Sequence, residues 1–117
     1  MDFDRFAVVL LIRGADAGEL DEEAEAALQD AHLAHLAGLH EAGHLVAAGP
    51  LRDPDARLRG LSIFRTDPEQ ARALSEADPA VRAGWFSVQV LPWLAPGGAI
   101  AYARTRFPRS AADAAGD

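Results

Sequence analysis

Apolar and polar positions follow two different periods along this chain, one typical of strands and the other of helices. Residues 6–12 form a nearly continuous β-favouring apolar run, as in an inner strand covered on both faces. Residues 21–43 predict a long helix, with an aspartate to cap its start and a glycine beyond its end. Residues 85–91 alternate with a period of two and predict a strand, which Pro92 places at an edge or an end.

The remaining segments predict more strands and two short helices. Apolar runs predict strands at residues 44–50 and 60–66, and a possible fifth strand at residues 99–105. Two Asp-Pro pairs, at residues 67–68 and 78–79, place a capping residue before a proline that can open a helix. The order β, α, β, β, α, β predicts an α+β fold, a ferredoxin-like antiparallel sheet with its helices on one face. The other sheet face needs a partner, which predicts a homodimer.

Length and charge set the class of protein. A chain of 117 residues, half of them hydrophobic, is one domain that can bury about two thirds of its unfolded surface. The formal net charge of -7 argues against a nucleic-acid partner, which needs clustered cations. The chain has no Cys and no Lys, which excludes disulfides, thiolate nucleophiles and Schiff-base chemistry.

The two ends of the chain predict its location and its boundaries. The first apolar run is too short to span a bilayer and follows acidic residues, so we expect no signal peptide, no membrane segment and a cytoplasmic protein. The last ten residues are small, polar and without periodicity. We therefore expect a domain over residues 1–106 and a flexible tail over residues 107–117.

All four histidines lie within residues 29–50, which raises the possibility of a metal site or a pH sensor. At 100° per residue, His32 lies at the centre of a leucine-rich helix face, His35 and His40 lie at its margins, and His44 lies off it. These side chains do not converge, although His40 and His44 have a spacing that can fill two ligand positions. We therefore predict no metal and no cofactor. No feature marks a pH switch, and we expect the three outer histidines to be peripheral.

His32 has two interpretations, because a polar ring on a leucine face needs a partner. It is either a structural histidine bonded to a carbonyl, or an acid or base at a cleft between helix and sheet. The second interpretation requires a carboxylate that orients the ring. Position alone leaves both open.

Three segments together resemble the YciI-like (YCII-related) family in the identity, order and spacing of their residues. They are "AHLAHLAGLHEAGHLVAAGPL", "GLSIF" and "EQARALSEADPAVRAGWFSVQVLPW", within residues 5–95. The resemblance implies a ferredoxin-like dimeric α+β barrel with a His-Asp pair at a small-molecule pocket. Carried over residue by residue, the catalytic pair is His32 and Asp78.

The sequence itself gives Asp78 a simpler role as a helix cap, and the two roles are compatible. One carboxylate oxygen can cap the helical turn while the other accepts a hydrogen bond from the His32 ring. The chain departs from the family pattern at Ala80, where family members tend to carry an aromatic residue. If that aromatic lines the pocket, the cavity here is larger, unless Trp85 or Trp93 fills the space.

The resemblance and the residues together predict an enzyme that acts on a small molecule. His32 would be the general acid or base and Asp78 would orient it, in a lyase, dehalogenase or isomerase type of reaction that needs no cofactor. The alternative is a non-catalytic ligand-binding or regulatory module on the same dimeric fold. In both, the partners are a second copy of the chain and a small molecule of unknown identity.

Overall fold

Four strands form one antiparallel sheet in the computed structural model, which describes residues 1–116. The strands are β1 (Phe3–Arg13), β2 (Leu45–Pro50), β3 (Leu58–Phe64) and β4 (Phe86–Pro96). The order across the sheet is β2-β3-β1-β4, and each neighbouring pair is antiparallel. The prediction that β1 is an inner strand is therefore confirmed, and β4 is an edge strand, where its prolines are tolerated.

The first three helices begin where capping residues predicted them, and a fourth lies within the segment for which no helix was predicted. They are α1 (Glu22–Glu41), α2 (Pro68–Glu76), α3 (Pro79–Arg82) and α4 (Ala111–Ala115), and a 3-10 turn covers Ala17–Glu19. The Asp21 carboxylate accepts the Ala24 N–H at 2.8 Å, and the Asp67 carboxylate accepts the Gln70 N–H at 2.7 Å. Each such bond satisfies a backbone donor that the first helical turn leaves unpaired.

Gly84 ends the turn of α3 in a conformation that favours glycine, with φ of 78°. A Cβ at this position would also lie 2.4 Å from the Asp16 Oδ2 atom, so the chain here leaves no room for a side chain. This close approach joins the start of β4 to the loop that follows β1.

The core lies between the sheet and the first three helices. Alternate residues of β1, namely Ala7, Val9 and Leu11, are buried on the helix-facing side. Val90 lies opposite Val9 and Val88 lies opposite Leu11, so the period of two along β4 puts Val88 and Val90 on the core face. α1 contacts β2, α2 contacts β1 and β4, and α3 contacts β4. The α+β fold, with an antiparallel sheet and helices on one face, is confirmed.

The opposite sheet face is also apolar, and we call it the open face. Its members, at alternate positions of their strands, are Val8, Leu10, Ile12, Leu61, Ile63, Leu91 and Trp93. Leu91 and Trp93 remain 42% and 37% exposed. Trp93 packs at a tilt on Phe6, with the ring centroids 6.0 Å apart.

The segment after β4 differs from the prediction of a fifth strand, which is wrong. Residues 101–108 form no regular element, and they lie alongside α1 instead of forming a strand. The Tyr102 hydroxyl donates to the His40 carbonyl, and the Thr105 N–H donates to His40 Nε2 at 2.9 Å. These bonds, one to the backbone and one to the side chain of His40, replace the ladder that a strand would make.

The last turn of the described chain, α4, also contacts α1. Ser110 caps it, the Ala111 N–H donates to Asp30 at 2.9 Å, and Arg109 pairs with Glu41. Flexibility of residues 107–117 and the division of the chain at residue 106 stay predictions, and residue 117 lies outside the described part. Among residues 1–116, no helix combines the length and the apolar character that crossing a membrane requires.

Candidate active site

His32 and Asp78 form a buried pair between α1 and the start of α3. The His32 Nδ1 atom lies 2.6 Å from Asp78 Oδ2, and the two residues are 7% and 2% exposed. The other carboxylate oxygen of Asp78 accepts the Ala80 N–H at 2.9 Å. The structure therefore brings together the two residues that sequence reasoning singled out, and Asp78 caps a helix and binds the histidine at once.

The Asp78 carboxylate fixes how the His32 ring presents its two nitrogens. An ionised carboxylate only accepts hydrogen bonds, so the proton of a neutral ring is on Nδ1 and the lone pair is on Nε2. Phe86 contacts the ring edge-on, with the centroids 5.2 Å apart. Both contacts restrict the ring to one orientation.

The outer nitrogen of His32, Nε2, is open to a cavity. Within residues 1–116, Nε2 makes no hydrogen bond, and no fully enclosed polar side-chain atom there lacks a partner. Nε2 is therefore not enclosed, and His32 lines a cavity of about 260 Å³ between α1 and the sheet. A basic lone pair in a partly enclosed space is what a general base requires.

The walls of this cavity are mainly apolar, with a few polar groups. The apolar side chains that line it include Leu11, Leu33, Leu36, Trp85, Phe86 and Phe107. The polar ones are Gln29, His32, Arg59 and Ser62. This combination is typical of sites for small organic molecules, where apolar walls give affinity and polar groups set orientation.

The other three histidines have structural environments. His35 Nε2 lies 2.9 Å from the Leu74 carbonyl, and His44 is half-buried. The prediction that His40 is peripheral is wrong, because its ring is fully buried. His40 Nδ1 lies 2.7 Å from the Leu45 carbonyl, and Phe107 stacks on the ring at 4.1 Å.

His40 became a core residue because the C-terminal segment covers it, a contact that no periodicity along α1 can reveal. Both of its ring nitrogens are engaged in hydrogen bonds, so neither is a free metal ligand. Among residues 1–116, no group of three or more His, Asp or Glu side chains has the arrangement of a metal site.

Ala80 does not line the cavity; it lies in the first turn of α3 and is fully buried in the core. Trp85 does line it and stacks on Phe86 at 4.7 Å. Trp93 lies on the open face instead. Of the two tryptophans considered for the space left by Ala80, Trp85 is the one that reaches the site.

Sequence reasoning missed Arg59, Ser62 and Phe107 as cavity residues. A β-bulge places Arg59, since Leu58 lies opposite Ile12 and Gly60 lies opposite Leu11. Arg59 is the extra residue between these two pairs, and bulges commonly redirect a side chain next to a site. Ser62 lies on the core face of β3, so its polarity among apolar neighbours was the one available signal.

Two carboxyl groups with lowered pKa values lie away from the cavity, where the C-terminal segment meets α1. A hydrogen bond and the charge of Arg109 lower the pKa of the Glu41 carboxyl. The Arg109 backbone N–H, followed by the Arg106 guanidinium, lowers the pKa of Asp113. Both carboxyls are thus held ionised at the junction of α1 and α4.

Comparison with known proteins assigns the family. Residues 7–94 match the family model of the YCII-related domain. This match covers most of the chain, including α1, the His32 and Asp78 pair and most of both β1 and β4. The chain belongs to the YCII-related domain family, and the resemblance drawn from its sequence segments is confirmed.

A solved structure has the same fold. It is 5-chloro-2-hydroxyhydroquinone dehydrochlorinase (TftG) from Burkholderia phenoliruptrix, in complex with 2,5-dihydroxybenzoquinone. The two align with a TM-score of 0.52 and 20% sequence identity, over 75% of this chain and 92% of the dehydrochlorinase chain. A comparison with curated proteins gave no match.

Proposed function

We propose that this protein is an enzyme that acts on a small organic molecule, with His32 Nε2 as general base and acid. The observation that carries the proposal is the pairing of a buried carboxylate with the inner nitrogen of a histidine whose outer nitrogen is open to a cavity. His40, by contrast, has both ring nitrogens engaged in hydrogen bonds. In His32, Nδ1 binds Asp78, whereas Nε2 is available to a ligand.

Asp78 is a positioning residue in this proposal. Its carboxylate holds the proton on Nδ1 and stabilises the imidazolium that forms when Nε2 takes a proton from the substrate. Its bond to the Ala80 N–H fixes the carboxylate itself. The base therefore needs no rearrangement during the reaction, which is the electrostatic condition for efficient proton transfer.

The reaction class follows from what the site supplies, namely one base in a partly enclosed apolar cavity. Elimination, dehalogenation and isomerisation all begin when a base removes a proton from the substrate. In an elimination, the electron pair left by that proton expels an anion, and the same histidine returns its proton to solvent. The dehydrochlorinase that shares the fold performs a reaction of this type, which supports the class.

We also propose that two copies of the chain associate through the open face. The exposed Leu91 and Trp93 and their apolar neighbours give that face the character of an interface. Such a dimer would bury one sheet against the other. The cytoplasmic location stays a prediction of the sequence.

A ligand screen with product analysis tests the proposed function. Small phenols, lactones and carboxylic acids are tested by thermal shift against the wild type, His32→Ala and His35→Ala, and the hits are incubated and analysed for products. His35 is the matched control because it lies on α1 but does not line the cavity. We expect ligands to stabilise the wild type and His35→Ala, and His32→Ala much less.

Two results would contradict the proposal. Equal stabilisation of the wild type and His32→Ala by every hit would mean that His32 is not at the site. Binding without any product would favour the non-catalytic ligand-binding module instead.

A further inference from the structure

We propose that the cavity binds a small planar carboxylate, and that Arg59 is the residue that selects it. This inference rests on the proposed function, because it concerns the substrate of the same site. The observation is one of charge: apart from His32, Arg59 is the only ionisable side chain that lines the cavity within residues 1–116. The chain carries 18 acidic residues and 11 basic ones, and none of the acidic side chains lines this space.

The guanidinium of Arg59, an exposed residue that lines the cavity, is available to bind an anion. The Arg59 side chain makes no ion pair or hydrogen bond with any group in residues 1–116, whereas Arg109 is paired with Glu41. Five N–H donors in a planar fork match the two oxygens of a carboxylate better than any neutral group does. The bulge in β3 is what makes Arg59 the extra residue beside the cavity.

Ser62 and Gln29 provide further polar contacts around the same space. Ser62 is 3% exposed, lies opposite Val9 on the core face and makes no hydrogen bond through its hydroxyl within residues 1–116. Because no enclosed polar atom there lacks a partner, this hydroxyl is open to the cavity. Gln29 lies three residues before His32 on α1, which places both on one side of the helix.

The aromatic side chains indicate a flat ligand. Trp85, Phe86 and Phe107 all line the cavity, and Trp85 and Phe86 stack with 20° between their planes. The cavity volume of about 260 Å³ suits a molecule with a single ring. A ring carboxylate would pack against these side chains while its anionic group meets Arg59.

This arrangement also assists the proton transfer. When His32 Nε2 removes a proton from a substrate that is already an anion, a second negative charge develops on it. The positive charge of Arg59, which lines the cavity, offsets that negative charge. The imidazolium formed on His32 is balanced by Asp78. Arg59 therefore contributes to binding and to the rate.

The test compares benzoate with benzamide, which have nearly the same shape but differ in charge. Isothermal titration calorimetry gives the affinity of each for the wild type, Arg59→Gln, Arg57→Gln and His32→Ala. Arg57 is the matched control because it is an exposed arginine near the start of β3 that does not line the cavity. Arg57→Gln changes the net charge of the protein by the same amount.

We expect the wild type and Arg57→Gln to prefer benzoate by about tenfold or more, and Arg59→Gln to lose that preference. Arg59→Lys, which keeps the charge without the fork, should be intermediate, and it replaces Arg59→Gln if that variant does not fold. Equal binding of the two ligands by the wild type, no binding of benzoate, or an unchanged preference in Arg59→Gln would overturn the proposal. His32→Ala should keep the preference, so failure of the enzymatic proposal and failure of this one are separate results.

Discussion

Because Asp78 makes a buried hydrogen bond to His32, it should contribute far more to stability than an ordinary helix cap does. The chain contains its own control, because Asp67 and Asp78 both cap a helix that opens with a proline. The Asp67 carboxylate accepts the Gln70 N–H at an exposed position. The Asp78 carboxylate accepts the Ala80 N–H and also binds His32 at 2.6 Å.

The expected losses follow from these contacts. Asp67→Ala removes one cap and should cost about 1 kcal/mol. Asp78→Ala removes a comparable cap of about 1 kcal/mol and a buried hydrogen bond to a carboxylate worth about 2 kcal/mol more. The free energy of unfolding should therefore fall by about 3 kcal/mol, three times the loss at Asp67.

Urea denaturation of the wild type, both single variants, His32→Ala and the double variant of His32 and Asp78 measures these losses. The slope of the free energy against urea must stay constant for the comparison to hold. We expect a coupling energy of about 2 kcal/mol between His32 and Asp78. Equal losses for Asp67→Ala and Asp78→Ala, with no coupling, would refute the reasoning that the buried bond is formed.

Three further predictions concern other parts of the chain. His40→Ala should lower the free energy of unfolding by about 3 kcal/mol in urea denaturation, because it leaves buried backbone groups without partners, and a loss below about 1 kcal/mol would contradict this. Because the pKa of Glu41 is lowered by Arg109, their pair is complete above the ordinary carboxyl pKa and is lost as pH falls through the lowered value. Protection of the amide hydrogens of residues 111–115 against exchange should therefore decrease once the pH is below about 4. Unchanged protection in acid would count against the contact between Glu41 and Arg109. Light scattering should show a dimer that Leu91→Glu converts to a monomer, whereas a monomeric wild type would remove the proposed interface.

Local sequence signals were sufficient for most of the fold. Helix starts have specific chemistry, and a capping aspartate before a proline identified both α2 and α3. Strand periodicity also predicted that the residues of β4 alternate between two faces, and the structure puts Val88 and Val90 on the core face. These signals depend on neighbours within a few residues, which is why they can be read from the chain directly.

Contacts between segments that are distant in the chain were harder to predict from the sequence. The segment 99–105 is apolar enough for a strand, yet it binds His40, more than sixty residues earlier in the chain. Arg59 enters the site because of a bulge, which depends on the register between β1 and β3. The pairing of His32 with Asp78 could be anticipated because a histidine on an apolar face requires a partner and the family resemblance indicated which one.

The central claim is that His32 moves a proton on a bound substrate, and the most direct test is a comparison of rates. The carboxylate that the wild type converts fastest is incubated in D₂O with the wild type, His32→Ala and His35→Ala, and its conversion and deuterium uptake are followed by NMR. We predict that His32→Ala is slower by about 100-fold or more, with its fold retained, and that His35→Ala matches the wild type. Conversion by His32→Ala at the rate of the wild type would contradict the account.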